Sequence, residues 1–154
     1  MDFTFQVLNK TRGIFNKIID TTPLKDLNKI PTGFSNNIIW NIGHIVVSEQ
    51  LLTYKLSGLQ PTVSENLINK YRKDTKPEGE LSAEEVKEIQ SLLFSTIEKT
   101  NQDYNLGAFK NYNSYTVSTS GNTLTNIEEA LQFVAIHEGL HYGYVLALLK
   151  AIKN

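Results

Sequence analysis

Two of the chain's three histidines stand four residues apart in HEGLHYG, residues 137–143, and the third is His44. Neutral imidazole is the commonest protein ligand for transition metals. A spacing of four on a helix puts His137 and His141 on one side, about 6 Å apart along the axis. Read as H-E-x-x-H, the stretch is the motif of zinc peptidases, with Glu138 as general base and a third ligand downstream. Only thirteen residues follow His141, none of them histidine, and the chain lacks the β-rich pattern that supports a peptidase cleft. The peptidase reading is therefore disfavoured. Glu138, about 100° round the helix from each neighbouring position, then simply faces a helix neighbour or water.

The alternative takes its third ligand from upstream. His137 and His141 share a face with Ile127, Ala130, Val134, Val145 and Leu148, while His44 lies on a stripe with Trp40, Val47, Leu51 and Tyr54. All three histidines thus point inward. One buried histidine is usually a hydrogen-bonded core residue, because unpartnered ring nitrogens are costly to bury. Three on core stripes, two of them at ligand spacing, point instead to a divalent metal with open coordination positions. Histidine-only ligation suits zinc, nickel or iron. With no cysteine in the chain there is no thiolate ligand, no disulfide and no cysteine nucleophile.

Four helices must position these side chains. The first is expected from about Asp2 to Asp20, with Leu8, Thr11, Phe15 and Ile18 on one face. Pro23 and Pro31-Thr32-Gly33 interrupt the pattern. The second is expected from an N-cap at Ser35 to a glycine stop at Gly58. Capping boxes at Ser82–Glu85 and Thr125–Glu128 open the third and fourth, and the fourth runs almost to the C-terminus. Two long connections remain, a polar one from about Leu59 to Leu81 and a Tyr-, Asn- and Ser-rich one over 107–121, with a short extended piece at Tyr115 to Val117. The expected fold class is all-α, a four-helix bundle with two long inter-helix loops in a single domain, 1–154.

The pairing of NNIIWNIGHIVVSEQLLTYKLSG with HEGLHYGYVLALL resembles the DinB/YfiT-like superfamily. The likeness covers most of the chain: the helix order, the long connections, a Trp four residues before the first histidine, and H-x-x-x-H followed by an aromatic and Gly. It implies a four-helix bundle of mirror up-and-down topology that binds a divalent metal through three histidines, for which His44, His137 and His141 match one for one. It also implies a homodimer. The characterised branches of that family include thiol-dependent transferases and isomerases that use low-molecular-weight thiols, while many other members have no known activity. Tyr142 departs from the pattern, since relatives often carry His or Arg there.

Two functional classes follow. One is a metal-dependent enzyme, a thiol-dependent transferase or hydrolase, acting with a low-molecular-weight thiol or another small molecule. The other is a non-enzymatic, stress-linked metal-binding dimer. A coordination position reached by solvent favours the first, and a site sealed by bulky side chains the second. Asn41, Ser48 and Tyr144 lie within a turn of a histidine and are candidate partners for the second ring nitrogens. Trp40 reads as packing around the site. Tyr112 and Tyr115 read slightly better as rings packed on the bundle end than as a substrate lid.

Fifteen basic against sixteen acidic residues offer no general attraction to nucleic acid or to an anionic membrane. The charged run NKYRKDTKPEGE is mixed in sign and reads as a solvated loop. No apolar run approaches the ~18 residues of a membrane span, and MDFTFQVLNKTRGIF lacks a signal-peptide core. A cytoplasmic protein is the expectation.

Overall fold

The computed structural model describes residues 1–153; Asn154, the last position of the expected domain, lies outside the described residues. Its elements in order are α1 (Asp2–Thr21), α2 (Leu24–Asn28), α3 (Ile38–Gln50), a π-helical turn (Leu51–Lys55), α4 (Glu65–Tyr71), α5 (Ala83–Asn105), β1 (Tyr115–Thr116), β2 (Thr123–Leu124) and α6 (Ile127–Ile152). The fold is all-α, as expected. The four long helices form a ring: α3 packs between α5 and α6, and α1 packs between the same two on the opposite side.

Residue pattern explains each helix. In α1 the buried positions are Phe5, Leu8, Arg12, Phe15, Ile18 and Ile19, spaced for one helical face. Thr11, expected on that face, is only half-buried, and Arg12 takes its place in the core. α3 is buried all round, because α2, α4, α5 and α6 cover it from every side. Ile38, Ile39, Ile42 and Ile45 have no exposed surface. Each such side chain contributes about 1.5–3 kcal/mol relative to an exposed one, so this helix anchors the bundle.

The caps differ from expectation by one or two residues. The N-cap of α3 is Asn37, not Ser35: its Oδ1 accepts the Trp40 N–H at 2.9 Å, while its Nδ2 donates to the Asn28 carbonyl at 2.9 Å. A short hydroxyl could not make both bonds, which explains the shift. Ser82 and Glu85 form the predicted capping box of α5. For α6 the box at Thr125 and Glu128 is replaced by Asn126, which accepts the Glu129 N–H at 2.9 Å. The Glu129 carboxylate reaches back to the Thr125 N–H at 2.7 Å.

The second long helix does not continue as α-helix to Gly58. It passes into the π turn and stops at Gly58, whose φ of +72° favours glycine. The connection Leu59 to Leu81 holds α4, started by Ser64 and docked on α3 through Leu67 and Tyr71. The extended piece at Tyr115 is one arm of a two-stranded antiparallel hairpin, with Tyr115 paired to Leu124 and Thr116 to Thr123. Among the described residues, no helix is long and apolar enough to cross a membrane.

Candidate metal centre

α3 and α6 are neighbours in the ring, so His44 meets His137 and His141 across their seam. One ring nitrogen from each of the three lies within 4.8 Å of the others. Ring centroids are 5.2 Å apart for His44 and His137, 4.8 Å for His44 and His141, and 4.5 Å for His137 and His141. The three predicted site residues are therefore brought together.

Hydrogen bonds set which nitrogen two of the rings offer. His44 Nδ1 donates to the Tyr71 carbonyl at 2.7 Å, which leaves Nε2 as a lone pair. His141 Nδ1 lies 2.8 Å from Asn41 Oδ1 and donates to it. The Asn41 amide is itself oriented, because its Nδ2 donates to the Asn37 carbonyl at 2.7 Å and to Asn36 Oδ1 at 2.9 Å. His141 Nε2 is thereby also free, and it sits 3.2 Å from His137 Nε2. Two nitrogens that share an ion at about 2.0–2.1 Å stand about 2.9–3.4 Å apart in octahedral or tetrahedral geometry. The spacing of this pair fits a shared ion, the third ring offers a nitrogen within 4.8 Å of both, and three neutral imidazoles have the chemistry to hold one.

Neutrality is enforced by burial. His137 is pushed down to about 4 by desolvation and by the neighbouring His44, and His141 to about 3 by desolvation and by His137 and His44. Burial also lowers His44, opposed by its bond to the Tyr71 carbonyl. Near pH 7 all three are unprotonated, the state a ligand requires.

Packing holds the rings. Trp40 stacks on His44 at 4.9 Å with 12° between the planes, and Phe133 stacks on His137 at 5.9 Å. Gly43 lets Tyr71 sit directly on α3: a Cβ there would fall 2.6 Å from the Tyr71 ring. Glycine at this one position allows the Tyr71 carbonyl to reach His44.

The triad lines a cavity of about 430 Å³. His44 is buried, whereas His137 and His141 are half-buried and face this space. Leu51, Leu52 and Leu56 from the π turn and its exit line it, as do Val117 and Phe133. Tyr115, Ser118 and Thr119 come from the hairpin, and Lys55 and Lys73 stand exposed at the rim. π-helical turns recur at functional sites, and this one borders the cavity.

The remaining sequence candidates sort cleanly. Asn41 serves His141, and Ser48 Oγ lies 3.2 Å from His44 Nε2. Tyr144 packs edge-on against Phe34 away from the triad, and Tyr142 packs on Phe15. The Tyr112 hydroxyl donates to the Leu52 carbonyl at 2.9 Å and ties the loop to the bundle, so that ring is packing. Tyr115, expected slightly more as packing than as a lid, lines the cavity. Tyr71, which orients His44, was missed because it lies in a charged stretch; its signal was the spacing Val63, Leu67, Tyr71.

Glu138 faces neither water nor the cavity. It is fully buried, and its Oε1 accepts from Arg12 Nε at 2.9 Å and Nη2 at 2.8 Å. Arg12 Nη1 donates to the Leu93 carbonyl at 2.9 Å and to Thr96 Oγ1 at 2.7 Å. Glu49 completes the cluster, with Oε2 3.8 Å from Arg12 Nη2 and Oε1 accepting from Thr100 at 2.7 Å. Burial raises Glu138 to about 6, with Arg12 opposing. The cluster went unread because Arg12 sits where the apolar stripe of α1 should continue.

Bundle and triad together define a helical protein with a three-histidine centre competent for a metal ion. A family model, that of the DinB superfamily, matches residues 8–145, and the chain belongs to that superfamily. None of the curated proteins matches it.

Proposed function

We propose that the protein is a metal-dependent enzyme, with one divalent ion held by His44, His137 and His141, acting on a low-molecular-weight thiol as a transferase or, with water, as a hydrolase. The observation that carries this reading is the opening of the half-buried His137 and His141 into a cavity rather than into packed side chains. A sealed triad would have favoured the non-enzymatic alternative. When bound, such an ion supplies Lewis acidity, which lowers the pKa of a coordinated water or thiol.

The chain's own residues do the rest. The Tyr71 carbonyl and Asn41 fix the tautomers of His44 and His141, so the lone pairs need no reorientation when a ligand arrives. Leu51, Leu52, Val117 and Phe133 keep the inner cavity apolar and thereby strengthen electrostatic contacts within it. Ser48 Oγ stands beside the ligating face of His44 and can donate to or accept from a small ligand. Glu138, pinned by Arg12, contributes no general base, which supports a small-molecule enzyme over a peptidase.

The same reading takes the protein to be a cytoplasmic homodimer. Ile136, Leu140 and Tyr144, at helical spacing on α6 and 61%, 52% and 37% exposed, offer an apolar face for a second copy. The test of function is spectroscopic. Cobalt-substituted protein should gain a charge-transfer band when a thiol is added, and His44→Ala should abolish it. A cobalt protein with no response to any thiol would remove the transferase reading, and casein hydrolysis lost in Glu138→Gln would restore the peptidase.

A further inference from the structure

The residues around the cavity differ in charge from the protein as a whole. The chain carries fifteen basic and sixteen acidic residues, so its surface is nearly balanced. The described residues that line the cavity include Lys55 and Lys73 and no aspartate or glutamate. Among the described residues, the ion pair found at either lysine is that of Lys73 with Asp74, whose Oδ2 is 4.0 Å from Lys73 Nζ, with both side chains more than half exposed. An ion pair that open is worth little and leaves the lysine available. The two cations rise from different elements, Lys55 from the π turn and Lys73 from the segment after α4.

The cavity lining thus joins three kinds of group. Besides the three imidazoles, buried or half-buried leucine, valine and phenylalanine side chains line it, and the exposed residues Lys55, Lys73, Ser118 and Thr119 add two ammonium groups and two hydroxyls at its solvent-facing side. Its volume of about 430 Å³ is that of a small-molecule site. Charge complementarity at such a rim selects the sign of the ligand more than it adds raw affinity.

Resting on the reading of the triad as a metal centre, we propose that the substrate is amphipathic. One end carries the metal-coordinating atom, a short apolar middle follows, and the far end is an anionic group, a carboxylate or a phosphate-type head, held by Lys55 and Lys73. The two lysines are specificity residues. They touch the ligand's distal group and take no part in bond-making.

The test compares three thiols of equal length and different charge, mercaptohexanoate, mercaptohexanol and aminohexanethiol, titrated into the cobalt-substituted full-length protein. The expected order is anion, neutral, cation. Mercaptohexanoate should lead mercaptohexanol by about tenfold, as two charge contacts at a solvent-reached rim give. A mercaptoalkyl phosphonate in place of the carboxylate distinguishes the two anionic heads. In Lys55→Gln/Lys73→Gln the preference should vanish, and in Lys55→Glu/Lys73→Glu it should invert in favour of aminohexanethiol. Both side chains are exposed, so these variants fold. Equal affinities for the three thiols in the unaltered protein, or a preference that survives the double glutamine variant, would overturn the proposal while leaving the metal centre standing. If no cobalt is taken up, the metal reading itself fails. The lysines are then tested in metal-free protein by the binding of hexanoate against hexanol, followed through the chemical shifts of Val117 and Leu56. Loss of hexanoate selectivity there sinks the proposal as well.

Discussion

Arg12→Met removes the cation from a buried cluster that holds two carboxylates. Arg12, Glu49 and Glu138 have no exposed surface. The substitution deletes the two bonds to Glu138 Oε1, those to the Leu93 carbonyl and Thr96, and the 3.8 Å approach to Glu49. Leaving a buried ion without its partner costs about 3–5 kcal/mol. For a domain of this size 1 kcal/mol moves the Tm by about 2–4 °C, so a fall of about 6–20 °C is expected. Thermal and urea melts of metal-free protein, followed by far-UV circular dichroism, measure it. Arg12→Met/Glu138→Met should recover at least ~1.5 kcal/mol of the loss, because it removes the stranded carboxylate as well. Zinc stoichiometry at temperatures where each variant is folded should not change, since neither side chain faces the cavity. A single-variant cost below ~1 kcal/mol, or a double variant as unstable as the sum of the singles, would refute the reasoning.

Three further outcomes follow. Elemental analysis after reconstitution with zinc should find about one ion per chain, and its absence would end the metal reading; alanine at His44, His137 or His141 should each weaken binding sharply. Asn41→Leu should cost about 10- to 100-fold in zinc affinity, because His141 loses the acceptor that orients it; unchanged affinity in a chelator competition counts against that role. The stability of metal-free protein should fall as pH drops from about 6.5 towards 4. His137 and His141 titrate near 4 and 3 in the fold but near 6.5 when unfolded, so the unfolded chain gains protons first, at up to ~1.4 kcal/mol per pH unit per histidine. Glu138, raised to about 6, acts in the opposite direction between about 4.5 and 6, but as one group against two; a Tm that rises on acidification would contradict the sign.

The triad was legible because ligand chemistry is written in residue type. Three histidines, each on an apolar stripe, left little else for them to do. The helices were legible from period and caps, with errors confined to where an asparagine outcompeted a nearby hydroxyl, as Asn37 did Ser35. What escaped reading depends on long-range pairing. Arg12 and Glu138 are 126 positions apart, and neither is explained without the other. Tyr71 acts on the site through its carbonyl, so the spacing of its side chain with Val63 and Leu67 marks its packing but not its bond to His44. The cavity's charge is likewise a property of Lys55, Lys73 and the hairpin brought together, in a chain whose charge run around Lys73 reads alone as a neutral solvated loop.

Tyr71 also places part of the centre outside the bundle. The acceptor that orients His44 ends α4, a seven-residue helix that reaches the site only because Gly43 leaves room for its ring. Short peripheral helices open locally far more often than a whole domain unfolds. Each opening of α4 would free His44 to rotate or to move its proton to the other nitrogen, while His137 and His141 stay in place on α6. On the proposed metal reading, the residence time of the ion would then be governed by a gate of seven residues rather than by the strength of the bundle. Extraction by a chelator should keep pace with amide hydrogen exchange in Glu65–Tyr71 and lag far behind exchange in α3.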